Sequence, residues 1–282
     1  MRLVLLTSVT MIAFASNSLL TRMAVESGAA DPYSFAVLRV LAGASVLAVI
    51  MILSGRDIVF SPAKRFVGAL SLASYMIGFS LAYLTLDAGL GALILFGVVQ
   101  ISMFSHGVIK GQGPTARQFT GAGVAFCGLL VVLWPGAESQ TDLTGALLMI
   151  VAGVGWAVYT ITGRSAVDPL SVTGANFMLC LPLIIILLAV PDRQVTLNGY
   201  LLALVCGGLT SGLGYALWYL VLPQLRQSIA AVVQLSVPVI AIVGGALFLG
   251  EAIAFSTLAA SAMVLGGIAL AITSQSFPAR RK

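Results

Sequence analysis

Ten stretches, each of roughly twenty mostly apolar residues, follow one another along the chain with almost no charge inside them. They lie at about 3–21, 32–53, 66–86, 88–108, 118–134, 143–163, 170–190, 198–221, 228–249 and 255–275. A helix needs about 20 such residues to cross roughly 30 Å of hydrocarbon. The runs are continuous rather than alternating, which argues against the strands of a barrel with a polar lumen. Only 8% of the 282 residues are charged and 60% are hydrophobic, whereas a soluble domain carries charge on about 25% of its positions. Lipid must therefore solvate most of the surface, which excludes a soluble enzyme, a nucleic-acid binder and a disulfide-stapled secreted domain. Cys127, Cys180 and Cys206 lie inside apolar runs and read as small buried residues, not as disulfide or zinc ligands. No metal or cofactor is expected.

Basic residues set the orientation, because cytoplasmic loops collect Lys and Arg. With ten spans and the N-terminus inside, the inner segments hold Arg2, Arg56, Lys64, Arg65, Lys110, Arg117, Arg164, Arg226, Arg280, Arg281 and Lys282. The outer loops then hold only Arg22 and Arg193. An odd number of spans would destroy this asymmetry, so both termini are predicted inside. The net charge of +5 follows from membrane insertion and implies no nucleic-acid partner.

The two halves resemble each other. Gly78-Phe79-Ser80-Leu81-Ala82-Tyr83-Leu84 matches Gly214-Tyr215-Ala216-Leu217-Trp218-Tyr219-Leu220 at an offset of 136. Val98-Val99-Gln100 matches Val232-Val233-Gln234 at 134, and Asp31-Pro32 matches Asp168-Pro169 at 137. The repeat covers five helices, an odd number, so the second copy enters the membrane from the opposite side. The expected architecture is all-α and polytopic: ten transmembrane helices in a five-plus-five inverted repeat around a central cavity, with residues 1–136 and 137–282 as the two units. Inverted repeats are a recurring plan of secondary transporters, with the substrate site at the repeat interface. Met1-Arg2 and Ala13-Phe14-Ala15 also fit a cleavable signal peptide, but this segment has a counterpart in the second unit and reads as a retained helix.

Phe14-Ala15-Ser16-Asn17 through Arg22, the run Pro32 to Arg39, and Gly250-Glu251 followed by a helix with Gly266-Gly267 resemble the EamA-type branch of the drug/metabolite transporter superfamily. The resemblance covers nearly the whole chain. It implies the ten-helix inverted repeat and export of small metabolites, and among its branches the bacterial exporters of aromatic and other amino acids are most similar. The first half lacks the glycine–glutamate pair, having Lys110-Gly111 nearby.

Helical spacing selects the candidate substrate contacts. Tyr75, Phe79 and Tyr83 share one face of the third span, and Tyr215 and Tyr219 repeat the pattern in the eighth, beside Trp218. Tyr83 and Trp218, near span ends, also suit an interfacial belt, whereas Tyr75 and Phe79 lie too deep for one. Phe14, Asn17 and Thr21 share a face of the first span, and Trp156, Tyr159 and Gly163 match them at an offset of 142. Gln100 and Gln234 are the deepest amides and must face protein or a wet cavity, because lipid satisfies neither. Substrate contacts are thus placed at Asn17, Tyr75, Phe79, Tyr83, Gln100, Trp156, Tyr159, Tyr215, Tyr219 and Gln234. Arg39, the one clear intramembrane charge, is assigned a gating or structural role with His106, Pro238 and Glu251; Pro238 offers a bend one turn beyond Gln234.

All nine acidic residues fall at span ends or in loops, so no mid-membrane carboxylate is expected to carry a proton. This favours uniport or exchange of small neutral or zwitterionic metabolites, amino acids above all, by a functional monomer in the bacterial inner membrane. The rival readings are a proton-coupled exporter, a carrier of sugar phosphates, nucleotide-linked sugars or lipophilic cations, a channel, and an intramembrane enzyme. The anion carrier needs more deep cations than Arg39, and the enzyme needs a nucleophile–base or metal constellation that a lone histidine does not build.

Overall fold

The computed structural model describes residues 2–56, 62–111, 115–133, 142–163, 168–225 and 233–273. Their helices are α1 (Arg2–Glu26), α2 (Pro32–Leu53), α3 (Pro62–Ala82), α4 (Ala88–Ile109), α5 (Ala116–Leu133), α6 (Leu143–Gly163), α7 (Pro169–Ile184), α8 (Leu197–Gln224), α9 (Ser236–Leu249) and α10 (Phe255–Thr273). No strand of more than an isolated bridge, Ala30 to Val195, occurs among the described residues. Seven of the helical spans are long and apolar enough to cross a membrane, and α5, α9 and α10 contribute shorter apolar stretches. Leu5, Ile52, Phe119, Ile186 and Phe248 stand exposed on the outside, as lipid rather than water requires. The protein is an all-α polytopic membrane protein.

Helix starts follow the sequence closely. Asp31 and Asp168 occupy equivalent N-cap positions, each followed by proline, and each carboxylate accepts the backbone N–H groups two and three residues on. These donors have no partner within the helix, and proline at the first helical position gives up an N–H that the helix does not need. Thr196 caps α8 in the same way through the Gly199 N–H.

Several boundaries depart from the sequence expectation. α1 runs on to Glu26, which puts Arg22 inside the helix and leaves it 8% exposed, not in an outer loop. The residues joining α3 to α4 are 83–87, so Tyr83 lies just past α3. After Pro182 the α7 helix gives way at Ile184 to a 3₁₀ turn, Ile185–Ala189. The middle of α8, Val205–Leu213, is π-helical. Pro238 sits in the first turn of α9, just after the chain breaks helical form at Leu235, a place where its missing N–H costs nothing. Residues 228–232 of the expected ninth span, the 136/137 boundary and the basic C-terminal residues lie outside the described residues.

The helices pair across the two halves of the chain, and the pairs run antiparallel. Gly155 packs on Ser71 and Tyr75 while Gly78 packs on Leu148 and Ala152, which sets α3 against α6. Thr21 lies 3.8 Å from Cys206 and Ala13 touches Gly214, which sets α1 against α8. Gly174 meets Met51 and Gly43 meets Phe177 between α2 and α7. Gly121 meets Ala271 and Gly128 meets Val264 between α5 and α10. Small residues at these contacts let the backbones approach closely, which is how membrane helices associate without a hydrophobic driving force.

Candidate functional site

Seven aromatic rings form one connected column along the seam between these pairs. Tyr83 stands edge-on to Phe79 at 4.8 Å, Phe79 lies 5.1 Å from Tyr75, and Tyr75 lies 5.1 Å from Trp156. Trp156 then meets Tyr215 at 4.7 Å, and Tyr159 joins Tyr215 and Tyr219 at 6.4 Å each. Phe14 braces the middle, edge-on to Trp156, Tyr215 and Trp218 at 5.7–5.9 Å. All of these side chains are buried, so Tyr83 and Trp218 belong to the interior and not to an interfacial belt. In this conformation the rings fill the middle of the protein.

Arg39 sits against this column. It is fully buried, with its guanidinium carbon 4.9 Å from the Phe79 ring centre and 5.5 Å from that of Tyr75. Its Nε donates to Ser211 Oγ at 3.0 Å, and its Nη2 donates to the Tyr75 and Tyr215 hydroxyls at 3.2 and 3.4 Å. Nη1 has no partner. Ser211 in turn donates to Asn17 Oδ1 at 3.0 Å, an oxygen that also accepts from Thr210 Oγ1 at 2.7 Å and Cys206 Sγ at 3.4 Å. Asn17 is therefore saturated by the π-helical stretch of α8 and ties α1 to α8.

The remaining candidates divide. Gln234 is buried before α9, whereas Gln100 is half-buried and its Nε2 lacks a hydrogen-bond partner. His106 lies half-exposed in the last turn of α4. Glu251 enters a buried ion cluster with Arg22, whose guanidinium reaches Glu26 at 2.9 Å, Asp87 at 3.5 Å and Glu251 at 3.6 Å. Arg22 also donates to the carbonyls of Tyr83 and Leu84, and Glu251 accepts the Ala88 N–H at 2.7 Å, capping α4. Burial raises the Glu251 carboxyl above the ordinary carboxylate range, the Ala88 bond opposes that rise, Asp87 adds to it and Arg22 opposes it. At the far end of α2 the Arg56–Asp168 pair, 3.1 Å apart, is exposed.

Sequence reasoning missed the Arg39 contacts and the Arg22 cluster, and it singled out Phe14 and Trp218 without including them in the contact set. The signal for Arg39 was present: at the repeat offset of 136, Tyr75 corresponds to Ser211 and Phe79 to Tyr215, and all four surround the guanidinium. Around the same column the buried Tyr159 hydroxyl faces the side chains of Thr173, Asn176 and Tyr219, and Trp218 Nε1 is buried without a hydrogen-bond partner.

The EamA-like transporter family matches residues 143–273, and an uncharacterized protein of Pseudomonas aeruginosa is 46% identical over 95% of this chain and 94% of its own. The chain belongs to the EamA-like transporter family. An uncharacterized transporter of Archaeoglobus fulgidus is 26% identical over 86% of this chain and 89% of its own. The threonine/homoserine exporter RhtA of Salmonella typhimurium is 28% identical over 74% of this chain and 71% of its own. A solved crystal structure that covers 94% of this chain and 98% of its own superposes with a TM-score of 0.65 at 18% identity, which shows that the EamA-like chain has that fold. As a family member the protein is a transporter.

Proposed function

We propose that the protein is a secondary transporter that exports small neutral or zwitterionic metabolites, amino acids above all, across the bacterial inner membrane by alternating access. The observation that carries this reading is the aromatic column with Arg39 beside it, built from α1, α2, α3, α6 and α8 and drawing on both halves of the chain. Rings offer an apolar face to a small substrate, and Trp218 Nε1 together with the Tyr159, Thr173 and Asn176 polar cluster offers hydrogen bonds to its polar end. The relative RhtA, a threonine/homoserine exporter, points the same way. The antiparallel pairing of α1 with α8, α2 with α7, α3 with α6 and α5 with α10 supports a five-plus-five inverted repeat, 1–136 and 137–282, working as a monomer. In that arrangement both termini are cytoplasmic, the Arg22–Glu251 cluster lies at the outer end, and Arg56–Asp168 lies at the inner end.

Among the described residues Arg39 pairs with no carboxylate, and none spans the middle of a helix. The mechanism is therefore uniport or exchange. Proteoliposomes loaded with labelled threonine or phenylalanine are expected to release label faster than empty vesicles without a pH gradient, and to exchange it for external amino acid. Trp156→Ala, with folding retained, should lower that flux about fivefold, in line with losing an aromatic contact worth on the order of 1 kcal/mol beyond its buried area. Flux that needs a pH gradient, or equals that of protein-free vesicles, overturns the reading.

A further inference from the structure

We propose that Arg39 is the anchor for a carboxylate on the transported molecule, with the column rings receiving its apolar group. This rests on the reading of the protein as an exporter of small metabolites and narrows it to carboxylate-bearing ones. The guanidinium is fully buried, yet its partners are three neutral hydroxyls, those of Ser211, Tyr75 and Tyr215. A cation this deep in a membrane protein is costly without an anion, and such residues mark substrate paths. The surroundings of Arg39 offset that cost only with hydroxyl dipoles and the faces of Tyr75 and Phe79.

The free valence has a shape. Arg39 uses Nε and Nη2 and leaves Nη1 without a hydrogen-bond partner, so a planar, two-oxygen acceptor at the Nη1–Nη2 edge gains Nη1 outright and competes with the two tyrosine hydroxyls for Nη2. Arginine binds carboxylates in that bidentate way, and such bonds are about twice as strong as neutral ones. A bound carboxylate takes Nη2 from the Tyr75 and Tyr215 hydroxyls. Tyr215 stands on α8 and Tyr75 on α3, and their hydroxyls also bond each other at 3.3 Å. The two phenols are thus placeholders: they hold the guanidinium between substrates and pair with one another when it is taken. The side chain of the substrate then lies against Phe79 and Trp156, on the ring side of Arg39.

The same site rejects an amine or amide of equal shape. Such a ligand leaves the guanidinium uncompensated and, if cationic, sets like charges together.

The test uses the full chain in lipid nanodiscs, with binding read by isothermal titration calorimetry. The probes are L-phenylalanine, L-threonine, their carboxamides and phenylacetate. Wild type is expected to bind each acid at least about 30-fold more tightly than its amide, the low end for leaving one partner of a buried charge pair alone. Arg39→Gln is expected to bind acid and amide alike, and Arg39→Lys to keep a reduced preference for the acid, because it retains the charge and loses the fork. Folding is checked by circular dichroism and size exclusion. Wild type without an acid preference, or Arg39→Gln that keeps the wild-type preference, overturns the anchor. Equal binding of phenylacetate and L-phenylalanine, lost in Arg39→Gln, upholds the anchor and withdraws amino acids as the substrate. Acid preference unchanged by either substitution leaves the exporter reading standing and removes Arg39 from the site.

Discussion

Gly207→Val is expected to cost the protein about 3 kcal/mol of stability, the upper end for overpacking a close contact. A Cβ at Gly207 runs into the Arg39 carbonyl and lies 2.8 Å from Ala42 Cβ. The obstacle is the backbone of α2, which has no rotamer to swing away, so α2 and α8 must separate. Separation also stretches the bonds from Arg39 to Ser211 and Tyr215, which cross that contact. Unfolding by denaturing detergent, followed by circular dichroism, measures the loss. Gly266→Ala is the control, because an added methyl there meets nothing within 4 Å and alanine is the better helix former. Equal midpoints for Gly207→Val and wild type would falsify the close α2–α8 crossing.

The second large effect concerns Arg22. Arg22→Met should destabilise the protein by roughly 3 kcal/mol at pH 8, because breaking a buried ion pair from one side leaves a buried charge uncompensated. Glu251 is the charge at issue, since its side chain is 10% exposed, whereas Glu26 and Asp87 are half in solvent. The carbonyls of Tyr83 and Leu84 lose their donor as well. The pH dependence follows from the raised Glu251 pKa. A carboxyl whose folded pKa lies above its ordinary 4.5 binds a proton more readily in the folded state than in the unfolded one. Its contribution is complete below 4.5 and is lost as pH rises through the folded value, so wild type weakens over that window. Removing Arg22 takes away an influence that lowers this pKa, so the deficit of Arg22→Met should shrink on going from pH 8 to pH 5. An equal deficit at both pH values would show that Glu251 is not the group left stranded.

Much of this architecture is legible in the sequence because lipid imposes a simple rule: apolar runs of sufficient length become helices. The aspartate–proline pairs at Asp31 and Asp168 mark two helix starts, and the Tyr/Phe spacing in α3 and α8 picks out the faces that meet. Where the rule fails, the cause is specific. Arg22 looks like the end of a span because it is charged, yet Glu26 on its own helix and carbonyls and carboxylates from two other segments, 83–87 and the α9–α10 join, surround it, and no single segment encodes that. Tyr83 and Trp218 carry polar tips near helix ends, which resembles an interface, but cross-half contacts bury them. Gln100 and Gln234 sit in matching Val-Val-Gln runs and still differ in burial, because helix packing and not the local run sets it. Arg39 was visible as a deep charge, and the offset of 136 marks Tyr75 with Ser211 and Phe79 with Tyr215; that all four converge on its guanidinium was not legible, because Ser211 comes from a π-helical stretch with no sequence signature beyond its glycines.

The two extremities of the molecule are fastened by different kinds of charge. Arg56 and Asp168 meet in the open, with about half and a third of their side-chain surface accessible, while Arg22 is shielded from solvent. Mobile counter-ions weaken exposed pairs and reach buried ones far less. Raising the ionic strength therefore loosens one extremity and spares the other, so added electrolyte acts as a one-sided lever on the transporter.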